Sequence, residues 1–103
     1  MSNFFKDKTA LITGASMGLG ADIARLLAAS GCHLILVARS EDKLIQLQQQ
    51  LSEQHQVSVD IHVVDLELKE AAEDVFQFVQ ESVLTKGKAL DLLVNNAGLG
   101  KTG

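Results

Sequence analysis

The chain has 103 residues, 47% of them hydrophobic and 21% charged, which is the balance of one folded domain and excludes a disordered or fibrous class. Its net charge of −4 comes with no basic cluster, so neither nucleic acid nor an anionic membrane surface is expected as a partner. No apolar run approaches the roughly 18 residues of a membrane span.

The first eight residues, MSNFFKDK, contain no long apolar core and no small-residue cleavage site. They are not read as a secretion signal, and a cytoplasmic location is expected. The first predicted strand, Thr9-Ala10-Leu11-Ile12-Thr13, stops at glycine. A helix opens within residues 14–20, with Leu19, Ile23, Leu26 and Leu27 spaced as its inward stripe. Gly31 ends it as a left-handed C-cap. Cys32, the only cysteine, cannot form an internal disulfide and reads as a small buried filler in a reducing compartment.

The second strand, Leu34-Ile35-Leu36-Val37-Ala38, is apolar throughout, as in a strand covered on both faces. Ser40 is placed to N-cap the next helix, with Glu41 and Asp42 in its first turn. That helix turns Leu44, Leu47 and Leu51 inward and leaves a glutamine-rich face to solvent. A third strand is predicted within residues 57–64, followed at Asp65 by a helix with Ala72, Val75, Phe76, Val79 and Val83 on one face. A fourth strand, Leu90-Asp91-Leu92-Leu93-Val94, runs into Asn95-Asn96-Ala97-Gly98. This alternation predicts right-handed crossovers and a parallel sheet. The expected fold is α/β, a Rossmann-type doubly wound sheet of order 3-2-1-4 that stops after the fourth strand. Residues 1–103 form one incomplete domain without internal repeats.

The most informative segment is Thr13-Gly14-Ala15-Ser16-Met17-Gly18-Leu19-Gly20, set between a buried strand and a helix start. A phosphate bound there needs backbone N–H donors, the positive end of a helix and no obstructing side chain. Gly14 permits the turn, Gly18 permits close approach, and Gly20 lets the helix lie on the strand. No Gly-Lys-Ser/Thr follows, which excludes a Walker-type loop. At the end of the second strand an acid would accept from a ribose 2′-hydroxyl, whereas a 2′-phosphate needs a cation. Ala38 stands where the acid would be, and Arg39 and Ser40 follow, so NADP(H) is expected over NAD(H). His33, His55 and His62 lack metal-ligand spacing, and no metal is expected.

The G-x-x-x-G-x-G spacing after a threonine, joined to Asn95-Asn96-Ala97-Gly98 at the end of the fourth strand, resembles the short-chain dehydrogenase/reductase family. The resemblance covers the chain from Lys8 to Gly100. It implies an oxidoreductase that transfers hydride between a nicotinamide dinucleotide and a small carbonyl or alcohol substrate. It also implies cofactor contacts from residues 14–20, from Asp65 and Leu66 at the adenine, and from Asn96, Ala97 and Gly98 along the ribose and nicotinamide. Asn95 is implied mainly as a brace between strands, and Asp65 could instead N-cap the third helix. Asp91 falls at the opposite end of the sheet.

In the family a Tyr-x-x-x-Lys pair and a serine carry the proton transfer and orient the substrate. This sequence contains no tyrosine and assigns no catalytic residue. The expectation is therefore the cofactor-binding half of a reductase about twice as long, inactive alone and homo-oligomeric in its full form. The alternative is a non-catalytic dinucleotide-binding or interaction module, should the chain end at Gly103.

Overall fold

The computed structural model describes residues 4–83 and 89–96. Four strands alternate with three helices: β1 (Thr9–Thr13), α1 (Gly18–Ala29), β2 (His33–Ala38), α2 (Glu41–Gln54), β3 (Val59–Val63), α3 (Ala71–Ser82) and β4 (Leu92–Asn95). All pairings are parallel, and the sheet order is β3-β2-β1-β4. That is the order expected from strand–helix alternation. The register sets Thr13 beside Val37 and Asn95, and Ala38 beside Val63, so the carboxyl ends of all four strands lie along one edge of the sheet.

Alternate side chains of the central strands feed two cores. Ala10, Ile12, Leu34, Leu36 and Ala38 pack with α1 and with Leu44, Leu47 and Leu51 of α2. On the other face Leu11, Ile35 and Val37 pack with Val75, Val79 and Val83. Helices on both faces explain why β2 is apolar at consecutive positions: all five residues from Leu34 to Ala38 are buried.

The inward faces of α1 and α3 differ from the spacing of their largest apolar residues. Leu19 and Leu26 are 58% and 70% exposed, and α1 meets the sheet instead through Gly20, Ala21, Ala24, Leu27 and Ala28. The cause is proximity: a Cβ on Gly20 would strike the carbonyl oxygen of Gly14, so the start of α1 lies too close for a large side chain and, Leu27 apart, small residues make the contact. On α3, Ala72 and Phe76 face outward, while Ala71, Val75 and Val79 are buried.

Helix α1 ends as its glycine predicts. Gly31 has φ +88°, its N–H donates to Ala28 O at 3.0 Å, and the Cys32 N–H donates to Leu27 O at 3.0 Å. These two bonds form a Schellman motif, and buried Cys32 and Leu27 supply its apolar contact. No helix among the described residues is long and apolar enough to cross a membrane.

Candidate functional site

The strand ends open onto a cleft of about 1090 Å³. Its first wall is the turn from β1 into α1. Gly14 and Gly18 have φ of +64° and +60°, the left-handed region that glycine enters without strain. Beyond its chain neighbours and its own helix backbone, Gly18 has no heavy atom within 4 Å of where a Cβ would stand, so the backbone there faces open space. Met17 is the N-cap of α1 in an extended conformation, and its side chain makes no capping hydrogen bond. The first N–H groups of the helix are thus left without a side-chain acceptor, at the positive end of its dipole.

This turn is tied to the end of β4. The Thr13 hydroxyl accepts the Asn96 amide N–H at 3.0 Å and donates to Asn95 Oδ1 at 3.1 Å. The Asn96 side chain donates through Nδ2 to the Gly14 carbonyl at 3.1 Å. Asn95 therefore braces β1 against β4, as expected, and Asn96 braces the glycine turn itself. Both also line the cleft.

The second wall follows β2. Arg39 is exposed, and Ser40 stands at the N-cap of α2 as expected. The Ser40 side chain makes no capping hydrogen bond, so its position caps the helix while its hydroxyl does not. Arg39, Ser40 and Lys43 all line the cleft. The third wall is the stretch after β3. Its Val64 N–H donates to Ala38 O at 3.0 Å, which ties the start of this stretch to the end of β2, and Asp65 and Leu66 line the cleft together with Arg39. Asp65 does not cap α3. Its Oδ1 accepts the Glu67 N–H at 3.0 Å, its carbonyl accepts the Leu68 N–H at 3.0 Å, and α3 begins only at Ala71, after Glu70. The short connecting turn consumes the capping capacity of Asp65 before the helix starts. The cleft is thus polar in two senses, with the cations on the β2 side and Asp65 and Glu67 on the β3 side.

Of the residues singled out in the sequence, Gly14, Ser16, Met17, Gly18, Leu19, Arg39, Ser40, Asp65, Leu66 and Asn96 line this one cleft. Ala15 and Gly20 stand behind it. Ala15 is fully buried and donates its N–H to Val37 O at 3.2 Å, and Gly20 packs against Gly14 and Asn96. Ala97 and Gly98 lie outside the described residues. The structure adds Thr13, Ala38, Lys43, Val64, Asn95 and Glu67 to the lining. Lys43 was legible only as the residue three after Ser40, which shares its helix face. At the far end of the sheet, Asp91 Oδ2 accepts the Thr9 N–H at 2.9 Å and the Asp91 N–H donates to Thr9 O at 2.9 Å, which places Asp91 away from the cleft. Among the described residues no three His, Cys, Asp or Glu side chains converge as metal ligands would.

Known proteins share this fold. The chain is 36% identical, over 94 residues, to an uncharacterised oxidoreductase of Staphylococcus saprophyticus, covering 91% of this chain and 38% of that protein. The fold superposes on L-sorbose reductase from Gluconobacter frateurii, solved with NADPH and L-sorbose, with a TM-score of 0.85 and 38% identity over 95% of this chain and 36% of that one. It also superposes on an alcohol dehydrogenase from Thermococcus sibiricus, solved with 5-hydroxy-NADP, with a TM-score of 0.76 and 36% identity over 85% of this chain and 36% of that one. The chain thus spans less than two fifths of the length of each of these proteins. The family model described as short chain dehydrogenase matches residues 8–103. With the glycine turn, the Asn-Asn brace and the 3-2-1-4 sheet in place, the chain belongs to the short chain dehydrogenase family.

Proposed function

We propose that this chain is the NADP(H)-binding portion of an oxidoreductase that interconverts a carbonyl and an alcohol. The observation that carries this reading is the shared cleft. The uncapped start of α1, with open space at Gly18, faces the same volume as Arg39, and Ala38 occupies the place of the acid that would accept from a 2′-hydroxyl. The N–H groups at the start of α1 suit a pyrophosphate, because the N-cap side chain does not fill them and they lie at the positive end of the helix. Arg39 and Ser40 suit a 2′-phosphate, since a guanidinium can give a phosphate two parallel hydrogen bonds. Asp65 and Leu66, which line the same cleft, suit the adenine, and Asn96 leads from the glycine turn toward the reactive end, with Ala97 and Gly98 following it in sequence. A cofactor that resembles those of the sorbose reductase and the alcohol dehydrogenase in their solved complexes is consistent with this lining.

When bound, the nicotinamide ring gives or takes the hydride. The residues of this chain bind and orient the dinucleotide, and on this reading residues 1–103 are the cofactor-binding part of a longer catalytic domain. The tyrosine-dependent proton transfer of the family then falls to residues elsewhere in that domain, because this sequence holds no tyrosine.

Calorimetric titration with NADPH and NADH tests the proposal. NADPH is expected to bind at least about tenfold more tightly, the worth of one charge-assisted phosphate contact. Arg39→Asp is expected to abolish that preference. Equal affinity for the two dinucleotides would remove the NADP(H) assignment, and a folded protein that binds neither would remove the dinucleotide reading altogether.

A further inference from the structure

We propose that Lys43 is a second specificity-determining cation, which acts with Arg39 and Ser40 on the 2′-phosphate. This rests on the reading of the cleft as an NADP(H) site.

The placement of Lys43 follows from the rotation of α2. Leu44, the next residue, is fully buried against the sheet with Leu47 and Leu51, and this orients the helix. Lys43 is then exposed, on the face it shares with Ser40 three residues before, and both line the cleft beside Arg39. The three polar groups thus come from one short segment, residues 39–43, at the end of β2.

Folding alone gives no reason for a lysine here. Lys43 is in the first turn of α2, where the helix dipole disfavours a cation and favours an acid. Glu41 and Asp42 already supply the acids. Among the described residues Lys43 forms no ion pair within 4.0 Å, so its charge is not spent on a fold contact. A local preference broken on the rim of a cleft is the pattern expected of a binding residue.

The chemistry of the ligand supplies the reason. A phosphate monoester carries between about one and a half and two negative charges at neutral pH, so one arginine leaves part of that charge unmatched. Asp65, which lines the same cleft, adds repulsion that a second cation offsets. Arg39 provides a planar, two-pronged contact, and Lys43 provides a compact charge on a flexible stem that follows the phosphate as it seats. The Ser40 hydroxyl, not engaged in capping, completes a group of three donors.

The test compares two small probes that differ at the 2′ position, adenosine 2′,5′-bisphosphate and adenosine 5′-monophosphate, on wild type, Lys43→Gln, Lys43→Arg and Arg39→Gln. Lys43→Gln is expected to weaken the bisphosphate about tenfold and to leave the monophosphate within about twofold of wild type. Lys43→Arg is expected to retain most of the bisphosphate affinity. Because Lys43 is exposed, an unchanged circular dichroism spectrum and melting temperature should accompany both variants. Equal weakening of the two probes by Lys43→Gln would overturn the proposal, since the lysine would then act on the shared part of the ligand. So would an unchanged Lys43→Gln beside an Arg39→Gln that loses the bisphosphate, although the NADP(H) reading would survive that result. If wild type binds both probes alike, the NADP(H) reading fails and the proposal with it.

Discussion

Asn96 donates through Nδ2 to the carbonyl oxygen of Gly14 at 3.1 Å, and this bond joins two motifs more than eighty residues apart in sequence. It also holds the glycine turn in the shape that leaves the N–H groups of α1 facing the cleft. Asn96→Ala is expected to cost about 1 kcal/mol of stability, the net value of one hydrogen bond, and to weaken dinucleotide binding by loosening the turn. Asn96→Asp should cost more at neutral pH, because a carboxylate cannot donate and would face the carbonyl oxygen. Urea unfolding of the two variants gives the order, and an aspartate variant as stable as wild type would show that the bond does not hold the turn.

Gly20 completes that junction from below. A Cβ added there would meet the Gly14 carbonyl oxygen and come within 2.8 Å of Asn96 Nδ2. Gly20→Ala is therefore expected to destabilise the protein by about 1–3 kcal/mol, as overpacking does. The Gly20→Ala/Asn96→Ala double variant removes only one of the two obstacles, and the remaining one is backbone. No rescue by the second substitution is expected; full recovery of the urea midpoint would mean that Asn96 alone confines α1.

The same junction explains what was legible in the sequence and what was not. The continuous apolar run of β2, the glycine turn after Thr13 and the asparagine pair after β4 each announce themselves locally, and their alternation with helices gives the sheet order. Most of the cleft lining followed from the rule that ligands gather at the carboxyl ends of parallel strands. The inward face of α1 was not legible, because large apolar residues dominate a periodicity reading. Contact at Gly20 brings the helix so close that Ala21, Ala24 and Ala28 make the seam and Leu19 and Leu26 are turned out. Lys43 is not legible for a different reason: it stands one helical turn beyond the strand end that Arg39 and Ser40 mark. Ala24, fully buried in the seam, offers the check. Ala24→Leu should lower stability by about 1–3 kcal/mol, and an unchanged denaturation midpoint would mean that α1 can move off the sheet.

A less conspicuous contact supports the third wall of the cleft. His62 on β3 stacks on Phe78 of α3 with ring centroids 4.4 Å apart and planes at 21°. Its Nε2 lies 3.2 Å from Asp74 Oδ1, yet that nitrogen is buried and has no hydrogen-bond partner. The ring stack and the near carboxylate are therefore separable contributions. His62→Phe, which keeps the stack and removes the unsatisfied nitrogen, is expected to be neutral or stabilising by up to about 1 kcal/mol. His62→Ala, which removes the ring, is expected to lose about 1–2 kcal/mol. Thermal denaturation distinguishes them, and a phenylalanine variant as unstable as the alanine one would show that the contact with Asp74 is the part that counts.

Cys32 gives the protein a predictable response to alkali. Burial pushes its thiol above the ordinary value, the negative charge of Asp91 pushes it the same way, and a backbone hydrogen bond from Ala10 opposes them. The folded state therefore holds this proton more tightly than the unfolded chain does. The corresponding stability is fully present below the unfolded thiol's pKa of about 8.5 and is lost as the pH rises through that value toward the folded one. Stability measured by urea should decline from pH 8 to pH 10, and Cys32→Ala should flatten that part of the decline even if its overall stability is lower. Asp91→Asn retains an oxygen able to accept the Thr9 N–H but removes the charge, so it should lower the thiol pKa and raise the rate at which a thiol reagent reacts with the protein at pH 9. An alkaline limb unchanged by Cys32→Ala would assign the decline to other groups.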